Sequence, residues 1–168
     1  MTPRVLVAGI GNVFLGDDGF GVEVVRRLSQ VDLPDWVRVV DYGIRGMHLA
    51  YDMAGGDYEL TIMVDAAARD ETPGTVSVVE LDPTAARQPE MLDAHGMQPD
   101  VVLALVGQLG AAPGRVVLVG CEPAVLAEGM ALSPAVEQMV DTAVRTVVDL
   151  VGKHRAEDRT VSVARDGC

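Results

Sequence analysis

The chain has 168 residues, 49% of them apolar and only 4% aromatic, with a formal charge of −12 at pH 7. That length supports one domain, burying roughly two-thirds of the surface the unfolded chain exposes. The charge argues against nucleic acid, whose affinity comes mainly from Lys and Arg on phosphates, and the few aromatics leave single strands no stacking platform.

The first apolar run, Val5 to Ala8, reads as a short buried strand that stops at Gly9. From about Gly19 the period changes: Gly21, Val24, Val25 and Leu28 share one helical face, away from Glu23, Arg26 and Arg27. Val37 to Val40 is a second strand ending at Asp41, and the turn Gly43 to Gly46 leads into a helix over Met47 to Ala54. Tyr58, Leu60, Ile62 and Val64 alternate as a third strand that ends on Asp65. The stretch before the next strand, Thr75 to Leu81, is too short for a parallel crossover, which takes roughly a dozen residues. That strand is therefore expected to run antiparallel to its predecessor or at the sheet edge. Pro99 opens a helix reaching about Leu109, Val116 to Cys121 is the fifth strand, and Ser133-Pro134 opens the last helix, with Glu137 near capping-box register.

From Lys153 the sequence is polar without a helical stripe, so residues 1–152 are expected to form the domain and 153–168 a mobile tail. No segment approaches the ~20 apolar residues of a membrane span, and the N-terminus lacks a signal peptide's apolar region. Two cysteines, Cys121 and Cys168, make a disulfide framework improbable. The expected location is a reducing cytoplasm. Alternating strands and helices imply a single three-layer α/β/α domain around a mostly parallel, about five-stranded sheet.

Residues 9–21, GIGNVFLGDDGFG, look at first like a phosphate-binding turn. The dinucleotide fingerprint fails because its third glycine position is Phe14. The mononucleotide loop fails because aspartate follows Gly16 where lysine is needed, and Asp17 and Asp18 would repel a pyrophosphate. In open α/β sheets ligands bind beyond the carboxyl ends of the strands. Three strands deliver carboxylates there: Asp17-Asp18, Asp41 and Asp65, with His95 in a loop able to reach the same edge. Two carboxylates and an imidazole make an open divalent-metal site that does not by itself select one metal.

Each group also has a plainer reading. Asp17 or Asp18 can cap the following helix, Asp65 can serve a turn, and His95 can be a surface histidine. His48 on a helix flank and His154 in the tail are plainer still, and Cys121 ends an apolar strand as a core thiol.

The stretches GIGNVFLGDDGFG, MVDAA around Asp65, DAHGM around His95 and GCEPAVLAEGMALSPAVEQMV together resemble the hydrogenase maturation endopeptidases, in the same order over residues 4 to about 152. The resemblance implies an endopeptidase that removes a short C-terminal peptide from the nickel-loaded precursor of a nickel-iron hydrogenase large subunit. It implies that two acidic residues and a histidine engage the nickel; by position these are Asp18, Asp65 and His95, as metal-binding and catalytic residues. With Asp18 so assigned, Asp17 is the expected helix cap. Nickel is then expected to arrive with the precursor rather than to be held tightly by the free enzyme. Whether nickel polarises the scissile bond or a carboxylate acts as general base stays open. No HExxH zinc motif and no evident Ser-His-Asp arrangement offers another peptidase chemistry.

One loop departs from the family pattern. Asp-Gly-Gly-Thr is replaced by Asp41-Tyr42-Gly43-Ile44, which keeps Asp41 and Gly43 as candidate substrate-binding positions and leaves the hydrogenase class open. Asp18 stands where some members carry glutamate. A nickel-sensing chaperone without proteolysis and a peptidase of the same fold with another substrate are the rival readings.

Overall fold

The computed structural model of the chain describes residues 4–83 and 98–166. Its centre is β1 (Val5–Ile10), six residues all buried. It pairs in parallel with β2 (Val37–Gly43) on one side and β3 (Leu60–Ala66) on the other. On the far side of β3 lies β5 (Arg115–Cys121), also parallel, and β4 (Val76–Leu81) closes the sheet antiparallel to β5. The strand order is therefore β2-β1-β3-β5-β4. Strands β1, β3 and β5 are covered on both faces, which is why they read as unbroken apolar runs. The expected antiparallel edge strand is present. Its hydrogen-bonded neighbour is β5, which lies between β3 and β4; the short link after β3 accounts only for its antiparallel direction.

Two layers of helix enclose the sheet. On one face α1 (Phe20–Leu28) and α5 (Val140–Asp166) bury Phe20, Val24, Leu28, Val140, Ala143 and Val147 against β1, β3 and β5. On the other, α2 (Gly46–Gly55) and α3 (Pro99–Gln108) bury Leu49, Met53, Val102 and Val106 against the opposite side chains of the same strands. A single turn, α4 (Pro134–Glu137), precedes α5. Arg27 ties the first layer together, reaching Glu137 at 2.5 Å and Asp141 at 3.0 Å as well as Glu23 in its own helix. Among the described residues no helix is long and apolar enough to cross a membrane.

One expectation needs correction. The segment read as a polar tail from Lys153 continues α5 to Asp166. An apolar stripe marks only a helix that lies on a core, and α5 leaves the core after Val151. Beyond that point polar contacts hold it instead. His154 Nε2 lies 3.1 Å from Glu59 Oε2, Arg4 donates to Asp158 at 3.2 Å, and the Arg155 guanidinium sits 5.7 Å from the Trp36 ring centroid.

Candidate functional site

The carboxyl ends of β1, β2 and β3 are brought together by close backbone approach. At Gly11 the chain leaves β1 with φ 139°, and a Cβ there would fall 1.8 Å from the Asp18 carbonyl oxygen, so only glycine fits. At Gly21 a Cβ would fall 2.0 Å from the Val64 carbonyl oxygen and 2.4 Å from that of Ile10. The missing side chain lets α1 lie directly on the ends of β1 and β3, and this delivers the 3-10 turn Gly16–Gly19 beside Asp65.

Asp18 is half-buried in that turn, and its Oδ2 accepts a 2.7 Å hydrogen bond from the Asn12 backbone N–H. Asp65, at the end of β3, is 7% exposed. Its Oδ1 is fully buried and has no hydrogen-bond partner among the described residues. The same oxygen lies 3.7 Å from where a Gly11 Cβ would be, so the Asp18 main chain and the Asp65 carboxyl both lie against Gly11. Burial pushes the Asp65 carboxyl well above the ordinary range, and the Asp18 charge pushes it further; a hydrogen bond from the Ala66 backbone opposes both.

Asp41 and Gly43 lie at the same edge. Asp41 is exposed and stands opposite Gly9, and the Gly43 carbonyl accepts from the Gly11 N–H at 3.0 Å. Between them the register slips: Gly9 pairs with Asp41 but Ile10 pairs with Gly43, leaving Tyr42 as the extra residue of a bulge. Tyr42 is thereby turned into the core, where its hydroxyl donates to Asp52 Oδ2 at 2.6 Å, and burial raises its pKa. Ile44 projects to solvent. Arg45 closes the turn by donating to the carbonyls of Asp41 at 2.5 Å and Tyr42 at 3.1 Å. The departure from Asp-Gly-Gly-Thr thus divides into a buried anchor for α2 and one exposed apolar side chain.

His95 lies outside the described residues. His48 is exposed and packs edge-on to Tyr42, and His154 is half-buried against Glu59 at the opposite end of the sheet, so both keep their plainer readings. Among the described residues no group of three or more His, Cys, Asp and Glu side chains could hold a metal ion. Asp18 and Asp65 supply oxygen donors, and a complete ligand set needs at least one more group.

Asp17 overturns its expected role. It makes no cap to α1; it is 0% exposed and reaches across the fold. Its Oδ2 accepts from the N–H groups of Ala124 and Val125 and from the Ser133 hydroxyl, each at 2.8 Å, and its Oδ1 accepts from the Ser133 N–H at 2.7 Å. Burial pushes this carboxyl upward, but the four hydrogen bonds outweigh it and hold the pKa below the ordinary value. Ser133 precedes α4 as expected, yet its hydroxyl serves Asp17 instead of the helix. Glu122 was not singled out by the sequence; half of its role is similar, its Oε2 accepting from the Arg69 N–H at 2.7 Å and so fastening the loop after Asp65. Their partners are distant in sequence, so no local pattern exposes either role. Cys121 is the buried core thiol expected, raised to about 11 by burial and by the charges of Asp17 and Glu122.

Comparison with known proteins follows the same lines. The family model for hydrogenase maturation proteases matches residues 22–150. The hydrogenase 2 maturation protease of Escherichia coli is 34% identical over 147 residues, spanning 86% of this chain and 88% of that protein. The hydrogenase expression/formation protein HupD of Rhodobacter capsulatus is 36% identical over 148 residues, covering 86% and 70% respectively. Among solved structures, the hydrogenase maturating endopeptidase HybD from Escherichia coli superposes with a TM-score of 0.75 at 31% identity, over 90% of this chain and 93% of that one. A hydrogenase 2 maturation peptidase from a Thaumarchaeota archaeon gives 0.69 at 37% identity, over 89% and 98%.

Proposed function

The chain belongs to the hydrogenase maturation protease family and is a peptide-bond hydrolase, and we propose that it trims the nickel-loaded precursor of a nickel-iron hydrogenase large subunit. In this reading Asp18, Asp65 and His95 engage nickel that arrives as part of the substrate, and the cut releases a C-terminal peptide. Asp41 and Gly43 contact the precursor chain along the same edge, and the reaction belongs in the cytoplasm.

The observation that carries this reading is Asp65. A buried polar atom without a partner costs about 1–3 kcal/mol, more when charged, so a fold keeps one where something is meant to arrive. A divalent cation suits these carboxylate oxygens in charge and in chemistry. It would draw on Asp65 Oδ1 and on Asp18, and it would displace the proton that burial favours on Asp65. The remaining positions suit the His95 imidazole and donors from the precursor. Oxygen and nitrogen donors are compatible with nickel, though not selective for it.

The half-buried Asp18 is the carboxylate that can accept a proton from an attacking water. Nickel contributes Lewis acidity at the same place.

Site variants test the assignment. A large-subunit precursor co-expressed with wild type is expected to lose its C-terminal peptide, read by intact mass. With Asp18→Ala, Asp65→Asn or His95→Ala it is expected to keep it. Full processing by any one of the three variants removes that residue from the site.

A further inference from the structure

The proposed reaction uses Asp18 and leaves its neighbour Asp17 unemployed, although Asp17 is the more deeply buried of the two. Loop anchoring alone is a poor reason for a buried carboxylate, since a well-packed apolar residue often serves stability as well. A carboxylate adds something an apolar residue lacks, which is acceptor directions that fix a backbone in place.

Asp17 is held from both its side chain and its main chain. The side chain takes its four hydrogen bonds from Ala124, Val125 and Ser133, all in the segment between β5 and α4. Its own N–H donates to the Val125 carbonyl at 2.8 Å, and the N–H of Gly16 donates to Gly129 at 2.8 Å. The Asp18 N–H closes back on Leu15 at 3.2 Å, and the Asp18 carbonyl rests against Gly11 so closely that no Cβ would fit. The Gly16–Gly19 turn is thus held on one side by the 122–133 segment, and its Asp18 carbonyl rests on the other side against Gly11, just past β1.

We propose that Asp17 is the positioning residue for Asp18: its buried carboxylate locks the Gly16–Gly19 turn to the segment after β5 and so keeps Asp18 beside Gly11 and Asp65. The inference rests on the role proposed for Asp18, but its structural part can be read without substrate or nickel. It has a second consequence. The clamped segment carries exposed Val125, Leu126 and Met130, the last 73% exposed, and its Gly129 is bonded to Phe14, itself 62% exposed. Any displacement of that apolar rim is transmitted through Asp17 to Asp18.

The Asn12 N–H reports the position of Asp18, because it donates to Asp18 Oδ2. Amide hydrogen exchange is measured on the full chain, wild type and Asp17→Asn, with the Val7 amide of β1 as the reference for global opening. The expected result is exchange at Asn12 accelerated about tenfold or more relative to Val7, alongside Ala124, Val125 and Ser133. Acceleration at those three with Asn12 unchanged would overturn the proposal and leave Asp17 as a loop anchor only. Should Asp17→Asn not fold, Ser133→Ala removes one of the four bonds and is expected to give about a threefold change at Asn12; no change there overturns the proposal equally.

Kinetics supply the second arm. Positioning through Asp18 is expected to lower kcat for the nickel-loaded precursor about tenfold or more with KM within about twofold. A change confined to KM contradicts it. Failure of wild type to cut any precursor would refute the proposed substrate while leaving the exchange result decisive for Asp17.

Discussion

Replacing Asp65 with asparagine is expected to make the protein more stable and inactive at once. The substitution preserves shape and removes the ionisable carboxyl from a site that is only 7% exposed and feels the Asp18 charge. Burial is the larger cause of the raised pKa and the Asp18 charge the smaller, and asparagine relieves both. Part of the cost of burying a carboxyl whose Oδ1 has no partner among the described residues, about 1–2 kcal/mol of the usual 1–3, is therefore recovered at neutral pH. For a chain of this length that corresponds to a rise in Tm of about 2 to 8 °C.

The sign with pH follows from the direction of the shift. A carboxyl whose folded pKa is raised costs no stability below the unfolded value of about 3.9. Wild type loses stability as pH climbs from there through the folded pKa, and Asp65→Asn does not. Thermal melts of the metal-free proteins between about pH 4 and pH 8 are expected to show the variant's advantage growing with pH. An Asp65→Asn melting below wild type at neutral pH, or a difference independent of pH, would refute the reasoning that the Asp65 carboxyl is kept buried at a cost in stability.

Gly11→Ala places a Cβ on the Asp18 carbonyl at a backbone φ of 139°, and is expected to cost about 2 kcal/mol or more in chemical denaturation and to abolish processing. Truncation after Gly152 removes the contacts of His154, Arg155 and Asp158 with Glu59, Trp36 and Arg4, and is expected to lower stability by about 1–2 kcal/mol in urea melts; an unchanged midpoint would mean the end of α5 contributes nothing. Asp17 has a depressed pKa, so its stabilisation is present above about 3.9 and is lost as pH falls through the folded value. Acid melts of Asp17→Asn are expected to lack that part of the wild-type decline, and parallel acid limbs would contradict it.

Much of the layout was legible because its causes are local. The apolar runs of β1, β3 and β5 announce strands covered on both faces, and the short link after Asp65 announces the antiparallel edge strand. Phe14 and Asp17 break the phosphate motifs, strand-end reasoning picks out Asp18 and Asp65 among the edge carboxylates, and the structure brings both of these against Gly11. What escaped the sequence depends on distant partners. Asp17 resembles a cap until Ala124 and Ser133 are seen to donate to it. Tyr42 resembles a substitution in a recognition loop until the bulge turns it into the core. The end of α5 resembles a tail because ion pairs with Arg4 and Glu59, rather than a stripe of apolar residues, hold it.

The central claim is that nickel in the precursor licenses the cut. It is tested most directly by giving wild-type protein the same purified large-subunit precursor with and without nickel and following intact mass over time. Loss of the C-terminal peptide is expected from the nickel-loaded form alone. Equal cleavage of the two forms would contradict it.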